Sequence, residues 1–506
     1  MKKTTIKILS LVLAMVMILS LTACTKPAET TGTEGTASAG TEANSEQKPV
    51  VVMTGAAQNT IDIYSSGSVA EIIVIQHVAE PLIEFDGFKD LVPCLATEWS
   101  NVEPTAWDFK LREGVKFHDG SPFTAEDVKF NIDRIIERQK NGTLIGNYGY
   151  IQASVGFAKV EIIDPKTVRI YTEKPSPVLP QFMSEIHILP KAFLESKSED
   201  ELKTSVMGTG PYKFVEWKKD QYIALEKNND YWGEKAGIEK LIFKNAPEAT
   251  TRVAELATKG ADLIDKVSPD LQSQVKDGAH MEIVASGTRQ YLGLVQYGHP
   301  IMKLKEVRQA INYSVNVESI IDNLLDGSVK RTGTFINPPW NNPNVTPYPY
   351  DPEKAKELLA AAGLKDTNGN GILEYEGKDI KLVIQSPKGR YIKDLEVCQA
   401  VAADMKKVGL DVEVRPMDWS VLVGQLDAKK LEGDMFMIGS GSSFEGQGDA
   451  SDFYSTNSSN YGQWINPEFD KLYDEVAVTF DNDKRKEILY KMQEVMKEDA
   501  AMLFMY

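Results

Sequence analysis

Hydrophobic and polar positions alternate in short runs through the first third of the chain. Trp107, Phe109 and Leu111 share one face of a predicted strand, Val115-Lys116-Phe117 follows, and Asp119-Gly120 predicts a turn. The period then becomes helical. Val128, Ile132 and Ile135 recur on one face, and Thr124 with Asp127 makes a capping-box variant at its start. Val160-Glu161-Ile162 and Val168-Arg169-Ile170 flank Asp164-Pro165-Lys166 as a hairpin. Further on, Val307, Ala310, Ile311, Ser314, Ile320, Ile321 and Leu324 keep a helical period as far as Gly327. Asp351-Pro352 caps a helix that Gly363 ends. Leu382-Val383-Ile384 and Val412-Glu413-Val414 enclose a helix through Val397, Val401 and Met405, which predicts parallel strands joined by a right-handed crossover. Short strands mixed with amphipathic helices, without a repeat, predict an α/β or α+β body.

The N-terminus has a different pattern. Lys2, Lys3 and Lys7 precede an apolar run from Ile8 to Leu21, the charged head and short apolar stretch of an export signal. The run ends in Leu21-Thr22-Ala23-Cys24, which resembles a bacterial lipobox. Residues 1–23 are therefore expected to be a lipoprotein signal peptide, with Cys24 the lipidated residue. Residues 24–48 are rich in Thr, Glu, Ala, Gly and Ser and carry no aromatic residue, so they are expected to form a disordered tether. This predicts a body held by lipid on the outer side of the cell membrane.

Composition narrows the partners. The 506 residues carry 56 Lys+Arg against 73 Asp+Glu, a net charge of −17, so nucleic acid is excluded as a natural partner. Three cysteines are too few for a disulfide scaffold, and Cys94 and Cys398 are expected to be buried thiols. Enzyme motifs are sparse: no zinc-protease helix, nucleophile elbow, Walker loop or dinucleotide fingerprint is present. The histidines, His77, His118, His187, His280 and His299, are scattered without a metal-binding pair. Asp366-Thr367-Asn368-Gly369-Asn370-Gly371 begins like a calcium loop, but Gly377 stands where a bidentate glutamate should close it, so a turn is expected. No cofactor, metal or catalytic residue is expected.

Several segments in order resemble the large extracytoplasmic solute-binding proteins of the oligopeptide, dipeptide and nickel class that serve ABC importers. They are Leu111 to Val128, Gly208 to Phe214, Asn229-Asp230-Tyr231-Trp232, Lys305 to Ser314, Asp351 to Leu359, Asn460-Tyr461, and Asn466 to Asp470. The resemblance implies an α/β fold of two lobes, like a type II periplasmic binding protein of the large cluster C kind, with an extra subdomain in the N-terminal lobe. It implies lobe I over 49–297 with the subdomain at about 86–207, lobe II over 298–480, and a return toward lobe I over 481–506 that lacks the family's last segment. It further implies a non-enzymatic monomer that captures short peptides between its lobes and delivers them to permease subunits.

The same resemblance nominates a pocket. Relatives hold the ligand's amine with an aspartate in a Gly-Trp-x-x-Asp segment, which corresponds to Gly441, Ser442, Ser443, Phe444 and Glu445 here. Ser442 thus replaces the tryptophan, and Glu445 would pair with an ammonium. Trp419 stands where relatives carry a pocket tryptophan, and Tyr148 or Tyr150 resembles their wall tyrosine; core packing is the competing role for each. Ser68 and Val69, after Gly67, lie where relatives offer main chain for strand-like pairing with an extended ligand. Asp449-Ala450-Ser451-Asp452 departs from the acidic-proline doublet of relatives, which leaves open a nickel chelate, an oligosaccharide or a signalling peptide. An extracellular hydrolase ranks lower, because no nucleophile with an adjacent base is recognisable.

Overall fold

The apolar run Met435-Phe436-Met437-Ile438 is buried throughout, because alternate side chains of a strand face opposite ways and both faces are covered. Met435 and Met437 join one apolar cluster with Leu292, Val401 and Leu503, whereas Phe436 and Ile438 join another with Tyr291, Leu422 and Phe504. The computed structural model describes residues 48–87, 90–275, 278–284, 286–441 and 445–506. The expected signal peptide, the tether with Cys24, and Ser442, Ser443 and Phe444 lie outside the described residues. Among the described residues, no helix is long and apolar enough to cross a membrane.

Strand Met435–Ser440 is the centre of the second lobe's sheet, ordered Asp411–Met417, Lys381–Pro387, Met435–Ser440, Arg289–Leu294, Met502–Phe504. Lys381–Pro387 runs parallel to Asp411–Met417, and helix Asp394–Lys406 makes the crossover between them, as the sequence predicts. The first lobe's sheet is ordered Leu263–Ile264, Val50–Thr54, Lys240–Asn245, Tyr222–Lys227, Tyr212–Lys218. A separate antiparallel sheet, Ala96–Glu103, Ala106–Leu111, Thr167–Thr172 and Phe157–Asp164, shares its apolar core with the first lobe. Helix Ala125–Lys140 begins at Thr124, and the capping box with Asp127 is formed.

The helical run ending at Gly327 forms two helices, Lys305–Ser314 and Val317–Leu324; Asn316 caps the second through its side chain while its own N–H donates to Asp404. One expectation needs correction. The C-terminal segment does not return to the first lobe: Met502–Phe504 pairs antiparallel with Arg289–Leu294 in the second sheet, and Arg289–Leu294 itself precedes the expected start of that lobe. The physical reason is a buried clamp. Arg308 donates to the carbonyls of Asp499 and Ala500 and pairs with the Asp499 carboxylate at 2.8 Å, so the apolar end Met502-Leu503-Phe504 is seated beside the second core.

In the first lobe, the segments Gly208 to Phe214 and Asn229 to Trp232 converge on one buried carboxylate. Glu80 accepts Thr209 Oγ1, Tyr231 OH and Trp232 Nε1, and burial pushes its carboxyl above the usual range. The segment Asp366 to Gly371 is a closed turn: Asp366 accepts the N–H groups of Gly369 and Gly371, and Asn368 and Asn370 donate to Asp379. Cys94 and Cys398 are buried free thiols.

Candidate functional site

The second sheet's central strand ends at Ser440, and the chain after it supplies three carboxylates: Asp449 lies in the short helix Gln447–Ser451, Asp452 is its C-cap, and Glu445 precedes the N-cap Gly446, whose φ of +71° turns the chain. They do not do the same work. Glu445 is 1% exposed. It accepts the N–H groups of Gln447 and Gly448 at the start of the short helix Gln447–Ser451, and its Oε2 lies 3.6 Å from Arg485 Nη2. Arg485 comes from helix Asn482–Glu498 and also donates to the carbonyls of Val476 and Thr479. The cation beside Glu445 is thus an internal one.

Asp449 is buried, accepts the N–H of Asn337 at 3.2 Å, and its charge acts on the guanidinium of Arg289. Asp452 is half-buried and accepts Ser440 Oγ at 2.9 Å. Burial pushes its carboxyl up to about 7; the Ser440 bond opposes this and the Asp449 charge reinforces it.

The first lobe faces this acidic run with Tyr150. That side chain is 44% exposed, on helix Gly146–Val155, packed beside Phe182. Its phenol is pushed up by burial first, then by the charges of Glu445, Asp452 and Asp449. Tyr148 points the other way: it is buried in the first lobe's core, edge-on to Tyr64, and its hydroxyl accepts the N–H of His187. Of the two tyrosines, Tyr150 is the exposed one and the one on which the acidic run acts.

Trp419 is half-buried at the first turn of helix Trp419–Asp427. The Arg390 guanidinium lies over its ring at 4.8 Å and Tyr391 meets it edge-on. The Tyr391 hydroxyl also accepts the N–H of Gly439, which ties this aromatic group to the strand end that leads to Gly441. A Cβ at Gly441 would meet open space, so no steric need requires glycine there.

Ser68 is the N-cap of helix Val69–Val78, and Glu71 Oε2 accepts the N–H groups of both Gly67 and Ser68. Beside it the Val69 side chain is 74% exposed. Trp107 of the first lobe packs on Phe480 at 6.3 Å between ring centroids, and Asn337 Nδ2 donates to the carbonyl of Gly287, just before strand Arg289–Leu294.

Sequence reasoning missed Asp452 as a separate candidate, and also Arg485, Tyr391 and Arg390. The run of carboxylates at 445, 449 and 452 was the available signal for the first. Elsewhere, among the described residues, Glu80, Glu84 and Cys94 lie close enough to share a metal ion. Glu80 is already taken by three donors, and burial raises the Cys94 thiol so that it stays protonated, which is the wrong state for a ligand.

Two lobes, each built on its own sheet, with an acidic run after the second sheet's central strand, are the architecture of a solute-binding protein. The model described as bacterial extracellular solute-binding proteins, family 5 middle, matches residues 90–464, and the chain belongs to that family. It is 29% identical over 416 residues to the oligopeptide-binding protein AppA of Bacillus subtilis, covering 79% of this chain and 75% of that one. It is 30% identical over 346 residues to the nickel-binding periplasmic protein of Escherichia coli, covering 67% and 65%. Among solved structures, Bacillus subtilis AppA in complex with a nonapeptide superposes with a TM-score of 0.73 at 25% identity over 91% of this chain and 92% of that one. Brucella suis NikA in complex with Fe(III)-EDTA shares the fold, with a TM-score of 0.79 at 24% identity over 91% and 93%.

Proposed function

We propose that this protein captures short peptides between its lobes and hands them to ABC-transporter permease subunits, with the Asp452 carboxylate receiving the ligand's cationic group. The observation that carries this reading is the position of Asp452. Its described hydrogen-bond partner is the neutral Ser440 hydroxyl, its charge acts on Tyr150 of the first lobe, Arg485 is held by Glu445, and Arg289 lies within range of Asp449. A ligand ammonium would fill that place. Tyr150, Trp419 and Val69 would supply apolar walls that bury area without fixing one side chain, with main chain at Ser68 and the residues Gly441, Ser442, Ser443 and Phe444 beside them, while Glu445 caps the helix Gln447–Ser451. Relatives named for oligopeptides and dipeptides support the peptide class.

In this reading no reaction is catalysed. The chain is cleaved before Cys24, anchored there by lipid, and works as a monomer on the outer side of the membrane. The test is native mass spectrometry of the purified protein, first with whatever solute it retains and then with defined peptides of two to nine residues, either free or N-acetylated. Free peptides should bind and N-acetylated ones should be lost. Retention of a nickel chelate or an oligosaccharide, with no peptide bound, would replace the ligand class.

A further inference from the structure

A cavity of about 540 Å³ is lined by first-lobe residues alone. Its floor is apolar, with Ile63, Ile75, Ala79 and Phe85, and its polar lining includes Glu84, Glu185 and His187. Helix Gly146–Val155 supplies one wall through Asn147 and Tyr148; Tyr150, two residues on, is outside the lining. The wall is tightly seated. Gly146 has φ +65° and packs against the Ser66 carbonyl, which accepts the N–H of Asn147 at 2.9 Å. The volume is that of an ordinary small-molecule site.

The charge of the lining is one-sided. Among the described residues it contains two carboxylates and neither lysine nor arginine. Glu185 accepts Asn147 Nδ2 at 2.7 Å, and no cation is paired with it among the described residues. His187 does not neutralise it: burial lowers that imidazole to about 4, so the ring is uncharged at neutral pH. Burial also raises the Glu185 carboxyl, as expected of an acid whose counter-charge is missing.

We propose that this first-lobe cavity is a second binding site, for a small organic amine whose ammonium pairs with Glu185 while its apolar body lies on Ile63, Ile75 and Phe85. The site is complete within one lobe, so it binds whether the lobes are open or closed. It does not depend on the peptide reading of the crevice.

Three probes on one indole frame test it: tryptamine as cation, tryptophol as the neutral analogue and indole-3-propionate as anion. Each is titrated into the full chain by calorimetry. Tryptamine should bind at least about tenfold more tightly than the other two, the effect of one partly buried ion pair. Glu185→Gln should remove that preference while leaving tryptophol unchanged. Gln76→Trp, at an exposed lining position, should block all three without disturbing the core. Asp452→Asn should leave tryptamine binding as it is. The proposal is overturned by equal binding of the three probes, by no saturable tryptamine binding, by an unaffected Glu185→Gln, or by loss of binding in Asp452→Asn, which would put the amine in the crevice.

Discussion

Asp452→Asn should make the empty protein more stable and the binding protein worse. The folded-state carboxyl sits at about 7, against 3.8 for the free group, so the folded state prefers it protonated. The stability associated with this group is fully present below about pH 4 and is lost as pH rises through about 7. A shift of about three units corresponds to about 4 kcal/mol, and contact with crevice water reduces this to about 2 kcal/mol. Asparagine keeps the Ser440 bond available and carries no charge to desolvate. Urea denaturation of ligand-free protein should therefore show the variant ahead by about 2 kcal/mol at pH 8, with the gap closing toward pH 4. Peptide affinity should move the other way, falling at least about tenfold at pH 8. Wild-type affinity should itself weaken about tenfold between pH 8 and pH 6, as roughly nine-tenths of the carboxyl becomes protonated, and the variant should lose that dependence. A variant no more stable than wild type at pH 8, or a gap that does not change with pH, refutes the reasoning.

The other expectations are narrower. Glu445→Gln leaves the buried Arg485 without its carboxylate and should cost about 3 kcal/mol in urea denaturation, with a smaller loss of peptide affinity than Asp452→Asn. Gly146→Ala places a Cβ against the Ser66 carbonyl at a left-handed φ and should cost at least about 1–2 kcal/mol, read as a lower thermal midpoint. Phe480→Ala removes the ring that meets Trp107 across the lobes, and stopped-flow measurement should show peptide release faster by roughly threefold to tenfold.

What the sequence disclosed was whatever is local. The capping box at Thr124, the hairpin around Asp164-Pro165-Lys166 and the crossover between Leu382 and Val414 need only their own residues, and each stands as read. The fate of the C-terminal segment was not local. Met502-Leu503-Phe504 is a short apolar stretch that either sheet could accept, and its place is decided by Arg308, far away in sequence, whose guanidinium reaches the Asp499 and Ala500 carbonyls. The same logic separates Asn316 from an uninterrupted helix: the break becomes visible once Asp404 is known to accept its N–H.

The acidic run shows why a pocket is harder to read than a fold. Glu445, Asp449 and Asp452 are alike in charge and close in sequence, so a sequence comparison picks the one nearest the relatives' motif. Which carboxylate is available depends on what each already holds, and those partners come from distant segments: Arg485 at Glu445, the Asn337 N–H at Asp449, and the Ser440 hydroxyl at Asp452. A carboxylate paired with a buried guanidinium has its counter-charge; one bonded to a single neutral hydroxyl still lacks it. The desolvation that raises Asp452 is therefore the same physical fact that makes it the better receiver of a cation. A ligand that supplies the charge regains the energy lost when that group left water, and because Tyr150 lies on the opposite lobe, this gain is greatest when the lobes are together.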